Sequence, residues 1–170
     1  TVWWCVLAMF VLRVRSFHWL EQDLRRPKRW ESWVGPGRPP SAETLGRVLG
    51  LIRREDLRAL LATLNRRAWR AKAIHRRPGE LYRVVAVDGH ELWASRARCC
   101  PECLPRAVTV GGAAVQEYYH RVVVAQWVGV TPPAIADFEL VHPAEGEVVA
   151  ARRLVARVVR TYGRLIDVVT

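Results

Sequence analysis

No stretch of this sequence is apolar for long enough to cross a bilayer. The longest run, Val2 to Leu12, has eleven residues and ends at Arg13, whereas a membrane helix needs ~20. It reads as a core helix, and no membrane partner is expected. Cysteine is scarce and badly spaced for cross-linking: Cys5 stands alone, and Cys99, Cys100 and Cys103 crowd together. Adjacent cysteines make a poor disulfide framework, and no secretory signal with a cleavage site is evident, which points to a reducing compartment. A second Cys-x-x-Cys pair or a His-x-x-x-His pair is missing, so the sequence spells out no complete zinc-ligand set. Lysine is nearly absent: of 27 basic residues, 25 are arginine. The chain begins on Thr1 and closes on a strand-like run from Leu165 to Thr170; both ends read as cut, and a fragment of a longer protein is expected.

What is abundant is positive charge. The formal net charge is +11, which suggests a polyanionic partner. Its distribution is uneven. Residues 1–80 hold 17 Lys and Arg against 7 Asp and Glu, a surplus of 10, whereas residues 81–170 hold 10 against 9. A basic front joined to a near-neutral remainder fits a nucleic-acid-binding region feeding another module; the arginine usage of a GC-rich genome is the competing explanation. Pro78-Gly79 marks the expected junction, dividing a basic helical region at 1–78 from an α/β region at 79–170.

In the first region, Val2 to about Leu24 reads as one helix. Residues 27–40 are broken by Gly and Pro, and Trp30 and Trp33 lie there among Lys28, Arg29 and Arg38. Such interleaving can stack single-stranded nucleic acid, or the two tryptophans can anchor a loop to the protein. Ser41 is a cap for a helix whose apolar face is Leu45, Val48, Leu49 and Ile52. A second periodic set, Leu57, Leu60, Leu61 and Leu64, extends through Ala68 and Trp69, so the pair makes a helical hairpin or a helix-turn-helix-like unit. The basic cluster that ends it, Arg66, Arg67, Arg70, Lys72, Arg76 and Arg77, either tracks phosphates or is a solvated helix end.

The second region turns on Leu81 to Ser95, LYRVVAVDGHELWAS. The apolar run Val84 to Val87 reads as a buried strand that delivers one carboxylate, Asp88, at its end. That acid is either a metal ligand or part of an Asp-Gly hairpin turn. A Cys-rich insertion follows at 96–114. Cys100-x-x-Cys103 is half of a common zinc set, with Cys99, His120 or His90 to supply the rest; a reduced, buried Cys turn is the alternative. Gly111-Gly112 is a hinge or turn. Val115 to Val130 is a long strand and Ile135 to Val141 another. Asp137 and Glu139 share a face of the latter, a solvated one or part of a metal site. A helix runs from about Glu147 to Tyr162, ended by Gly163, and Leu165 to Val169 begins a further strand in which Asp167 reads as structural. Strand, strand, strand, helix, strand in this order gives a mixed sheet with helical cover, an α/β fold.

Taken together, VVAVDGHELWAS, CCPECLPR, EYYHRVVVAQ, GEVVAARRLVARVV and LIDVVT resemble bacterial insertion-sequence transposases of the DDE type. The resemblance extends to GRPPSAETLGRVL near the front. It implies a truncated ribonuclease H-like sheet behind an N-terminal helical region, and metal-dependent DNA strand cleavage and transfer at mobile-element ends. It implies DNA and a homodimeric copy as partners, in the cytoplasm at the bacterial nucleoid. In that family, acidic side chains hold two Mg²⁺ or Mn²⁺ ions for in-line displacement at phosphorus. Asp88 matches the first acid; the second comes just after the strand that begins at Leu165 and the third much later, so the chain as given is expected to be inactive. A non-enzymatic DNA-binding remnant is the alternative.

Overall fold

A computed structural model describes residues 2–26, 29–34, 37–97 and 99–170. They form two compact units, Thr1–Asp56 and Leu57–Thr170, dividing upstream of Pro78-Gly79. In the first unit the expected single helix is two, α1 (Val2–Val11) and α2 (Phe17–Leu24). The break has two local causes. Arg13 takes a left-handed φ of 54°, and Ser16 caps α2 by accepting the Trp19 N–H at 3.2 Å, which fixes a new helix start. Two more helices follow, α3 (Arg29–Val34) and α4 (Ala42–Gly50), the latter capped by Ser41 as the sequence suggests. Glu21 on α2 accepts the Ala42 N–H at 2.8 Å and ties α4 to it. Cys5, Ala8, Leu20, Leu24, Trp30 and Leu45 form the core. The first helix is therefore not the buried core helix its composition implies: it packs through Cys5 and Ala8, while Trp3, Trp4, Leu7 and Phe10 face outward. Trp30 is 5% exposed and anchors the fold rather than stacking bases; Lys28 and the side chains of Arg29 and Trp33 lie outside the described residues.

The second unit opens with α5 (Arg54–Arg70) and a short strand β1 (His75–Arg76) that pairs with β5 (Val130–Thr131). Its main sheet contains β2 (Val84–Ser95), β3 (Leu104–Val110), β4 (Ala113–Val128), β6 (Ala134–Leu140) and β7 (Val168–Val169), with α6 (Glu147–Tyr162) crossing between the last two. Strand β4 pairs antiparallel with β2, β3 and β6, and β7 lies parallel beside β2. This mixed α/β sheet with a strand–helix–strand crossover is the arrangement drawn from the sequence. One local expectation is corrected. Strand β2 runs straight through Asp88-Gly89, so that dipeptide is neither a strand end nor a hairpin turn. Gly111-Gly112 makes the turn expected of it, with φ angles of 59° and 85° that a two-residue hairpin demands; it joins β3, a strand hidden in the Cys-rich insertion, to β4. Helix α6 ends at Tyr162, before Gly163, as expected, and the chain tightens into a 3₁₀ turn over Gly163–Leu165.

One face of the sheet is covered by α6, through Ala150, Leu154, Val158 and Tyr162 against Val85, Val123, Ala125 and Trp127. Asp137 and Glu139 point into this layer rather than to solvent: both are buried, and they pair across the ladder with Ala125 and Val123. Two buried carboxylates must be neutralised, and arginines from two helices do so. Arg157 on α6 reaches Asp137 at 2.6 Å and Glu139 at 2.7 Å, and Arg58 on α5 reaches Glu139 at 3.0 Å. Asn65, also buried, donates to the Ile135 carbonyl at 2.8 Å. Consequently α5 turns its Arg58–Asn65–Trp69 face to the sheet, and Leu60 and Leu64, expected in the apolar face, are 46% and 52% exposed. Replacing Arg157 by Met leaves buried Asp137 with the more distant Arg58, at 3.9 Å, and is expected to cost about 3 kcal/mol in urea unfolding. Arg160→Met, on the exposed side of the same helix, is expected to stay within about 0.5 kcal/mol.

Candidate functional site

Residues opposite each other in an antiparallel ladder share a face. Val85, Val87 and Gly89 pair with Trp127, Ala125 and Val123, the face under α6; Asp88 and His90 pair with Val124 and Val122 on the other. Asp88 is thus exposed on the sheet face that α6 leaves uncovered, at the middle of β2. Its Oδ1 accepts the Gly89 N–H at 2.8 Å. Strand β7 heads toward it: Thr170 donates to the Val85 carbonyl at 2.9 Å and accepts the Val87 N–H at 2.8 Å. Among the described residues, no set of three metal-ligating side chains includes Asp88.

The neighbours of Asp88 are otherwise engaged. Beyond Gly89 lies Glu91, under the α6 face, gripped by Arg106 at 2.7 and 3.0 Å, which holds its carboxyl below the ordinary range. Arg106 also binds Glu117 at 2.6 Å and stacks on Tyr119. Gly89 admits a close approach, as a glycine in a strand suggests, here by a side chain: a Cβ there would sit 2.1 Å from the Glu147 carboxylate at the start of α6, which pairs with Arg121 at 3.2 Å. Asp167 is structural, as expected. Both its oxygens bind Arg83, at 2.7 and 2.9 Å, and these bonds hold its carboxyl well below the usual carboxylate range.

The cysteine cluster does assemble. Cys100 and Cys103 Sγ lie 3.6 Å apart, and His120 Nε2 is 3.4 Å from the first and 3.5 Å from the second. This group can hold a metal ion. Cys99 is exposed and its thiol turns to the Cys100 carbonyl instead, and His90 is not in the group. Next to it, the Glu102 carboxylate accepts from His142 Nδ1 at 2.9 Å.

The basic residues picked from the sequence, Arg66, Arg67, Arg70, Lys72, Arg76 and Arg77, are all exposed. Some are held by backbone: Arg66 donates to the Thr161 carbonyl and Arg76 to that of Leu81. A groove at the carboxyl end of α6 adds Arg160 and Arg164 to Arg66, and Arg66 and Arg70 flank Trp69 and Leu165 beside it. Sequence reasoning missed Arg160 and Arg164 because Arg66 lies about a hundred positions away; helical spacing shows only that Arg160 is outside the apolar face of α6. No helix of the described residues is long and apolar enough to cross a membrane.

No family model, curated protein or solved structure matches this chain.

The loop between β6 and α6 carries a pH-sensitive contact. Arg153 holds the Glu145 carboxyl at about 2, below its ordinary 4.5, and Glu145 also accepts the His142 N–H at 2.9 Å. A carboxyl depressed in the folded state contributes stability above its unfolded pKa and loses it as the pH falls toward the folded one. The urea midpoint is therefore expected to fall from about pH 4.5 toward pH 2, and to fall less steeply in Arg153→Met.

Proposed function

We propose that this chain supplies the first catalytic acid, Asp88, and part of the DNA-holding surface of a DDE-type transposase. The other two acids come from residues outside 1–170. One observation carries the reading: Asp88 is exposed at mid-strand on β2, between antiparallel β4 and parallel β7, with β7 directed toward it. Acids delivered by neighbouring parallel strands to one sheet face are what a two-ion centre requires. Asp88 alone does not fit such a centre, and no catalytic step is assigned to residues 1–170. The exposed arginines beside the end of α6 suit phosphate contacts, since guanidinium groups bind phosphate oxygens in pairs. A nucleoid location and a homodimer belong to the same reading.

That no three-ligand group among the described residues includes Asp88 favours one other reading, a DNA-binding remnant with no enzymatic step. The two are separated by continuing the reading frame past Thr170 and assaying Mn²⁺-dependent nicking of supercoiled DNA. Nicking abolished by Asp88→Asn supports the transposase; nicking indifferent to Asp88→Asn, or absent, overturns it. DNA binding without nicking supports the remnant.

The basic surface has its own test. Binding of the chain to duplex DNA, followed by fluorescence anisotropy across a salt series, is expected to weaken linearly on a log–log plot. Each phosphate contact adds about 0.9 to the slope. Arg70→Ala, Arg160→Ala and Arg164→Ala combined are expected to flatten it by about 3. An unchanged slope, or no binding at low salt, contradicts the assignment of this surface.

A further inference from the structure

The Cys100–Cys103–His120 group has the dimensions of three corners of a tetrahedron around one ion. With zinc–sulfur bonds of about 2.3 Å and a zinc–nitrogen bond of about 2.0 Å, tetrahedral angles give edges of about 3.8 Å between sulfurs and about 3.5 Å between sulfur and nitrogen. The three edges here are 3.6, 3.4 and 3.5 Å. The two thiols are far beyond bonding distance for a disulfide, which is about 2.05 Å. The turn supplies one donor to Cys103. The Cys100 backbone N–H points at Cys103 Sγ, 3.1 Å away, a donor that stabilises a thiolate. The turn itself is closed by the Cys103 N–H on the Cys100 carbonyl at 3.0 Å.

The location gives the ion a task. On one edge, β4 pairs with β3 as far as Tyr119 and with β6 only from Val122. Between them, His120 and Arg121 sit where β4 changes partner. Cys103 immediately precedes β3, so a metal on its sulfur and on His120 fastens the start of β3 to β4 at this discontinuity. Glu102, between the two cysteines, reaches His142 beyond the end of β6, so the same turn spans the gap. Trp93, opposite His120 on β2, lies with its ring 5.2 Å from the imidazole and walls the site on its other side.

We infer that Cys100, Cys103 and His120 bind one Zn²⁺ ion that clips the start of β3 to β4, closing the open end of that hairpin. Both thiols deprotonate on binding, so two protons leave per zinc; two thiolates balance the ion's charge, and neutral His120 donates through Nε2. Water fills the fourth position, and Cys99 is not a ligand. The inference uses only the geometry of this cluster and is independent of the transposase reading.

The test is metal analysis of the full chain purified without chelator from zinc-replete medium, followed by exchange with Co²⁺. About one equivalent of zinc is expected, with a cobalt form showing thiolate charge-transfer absorption and the intense visible bands of a tetrahedral site. Cys103→Ser and His120→Ala are expected to lose the metal, and Cys99→Ser to keep it. Should the first two fail to fold, the wild-type chain provides the second measurement: hydrogen exchange before and after zinc removal. Protection of amides in 104–119 is expected to fall at least about tenfold while that of α6 holds. Zinc near zero together with no cobalt spectrum overturns the site. Loss of metal from Cys99→Ser overturns the three-ligand assignment, and unchanged protection in 104–119 overturns the clip.

Discussion

Two carboxylates on one strand, Asp137 and Glu139, are buried under a helical layer, and much of the second unit follows from neutralising them. Removing charge from water is expensive, so buried acids are paired or they are not tolerated. Here Arg157 comes from α6 and Arg58 from α5, and both also donate to the intervening Phe138 carbonyl, at 3.0 and 3.1 Å. Hydrophobic area alone would let α5 roll over the sheet; guanidinium geometry does not. The helix turns until Arg58 and Asn65 meet β6, even though that leaves Leu60 and Leu64 toward water. Trp69 then packs edge-on against Trp127, and Trp127 against Tyr162, so aromatic packing reinforces the orientation that charge selects.

The same interaction explains where sequence reasoning succeeded and where it failed. Strand β2, the long strand β4 and helix α6 were legible because each carries its signal locally, as β-branched runs or 3.6-residue periodicity. Helix α5 was legible as a helix but its buried face was not, since leucine spacing selects Leu57, Leu60, Leu61 and Leu64 while the decisive partners lie on β6. Asp137 and Glu139 read as a solvated face for the same reason: nothing within seven residues of strand reveals arginines from two other elements. The join between α1 and α2 lies just past the apolar run, where Arg13 takes a left-handed φ and Ser16 caps the next helix. Strand β3 was masked by the cysteines ahead of it, although Gly111-Gly112 marked its turn.

The candidate chemistry gathers on one face of the sheet, and the other is structural. The α6 face is closed by hydrophobic packing and ion pairs, including Glu91–Arg106 and Glu147–Arg121. Asp88 and His120 both belong to the uncovered face, on the paired strands β2 and β4. A rigid central pair therefore presents an unshielded carboxylate at its middle and a three-ligand cluster toward its end. Cys100, Cys103 and His120 were visible in the sequence as half a motif and a distant histidine; only the β3–β4 register, Leu104 against Tyr119, brings the histidine to the cysteines. Asp88 was visible too, but as a strand end. Its place at mid-strand leaves the β7 side, opposite antiparallel β4, for a parallel neighbour to bring further acids alongside.

The central claim is that Asp88 marks the position of a divalent-ion centre on the uncovered sheet face. Paramagnetic broadening by Mn²⁺ of the amide NMR spectrum, recorded on the zinc-loaded protein translated past Thr170, tests it most directly. The account predicts broadening centred on Asp88, Gly89, Val124 and Thr170, absent in Asp88→Asn. Broadening centred elsewhere, or unaffected by that substitution, would contradict it.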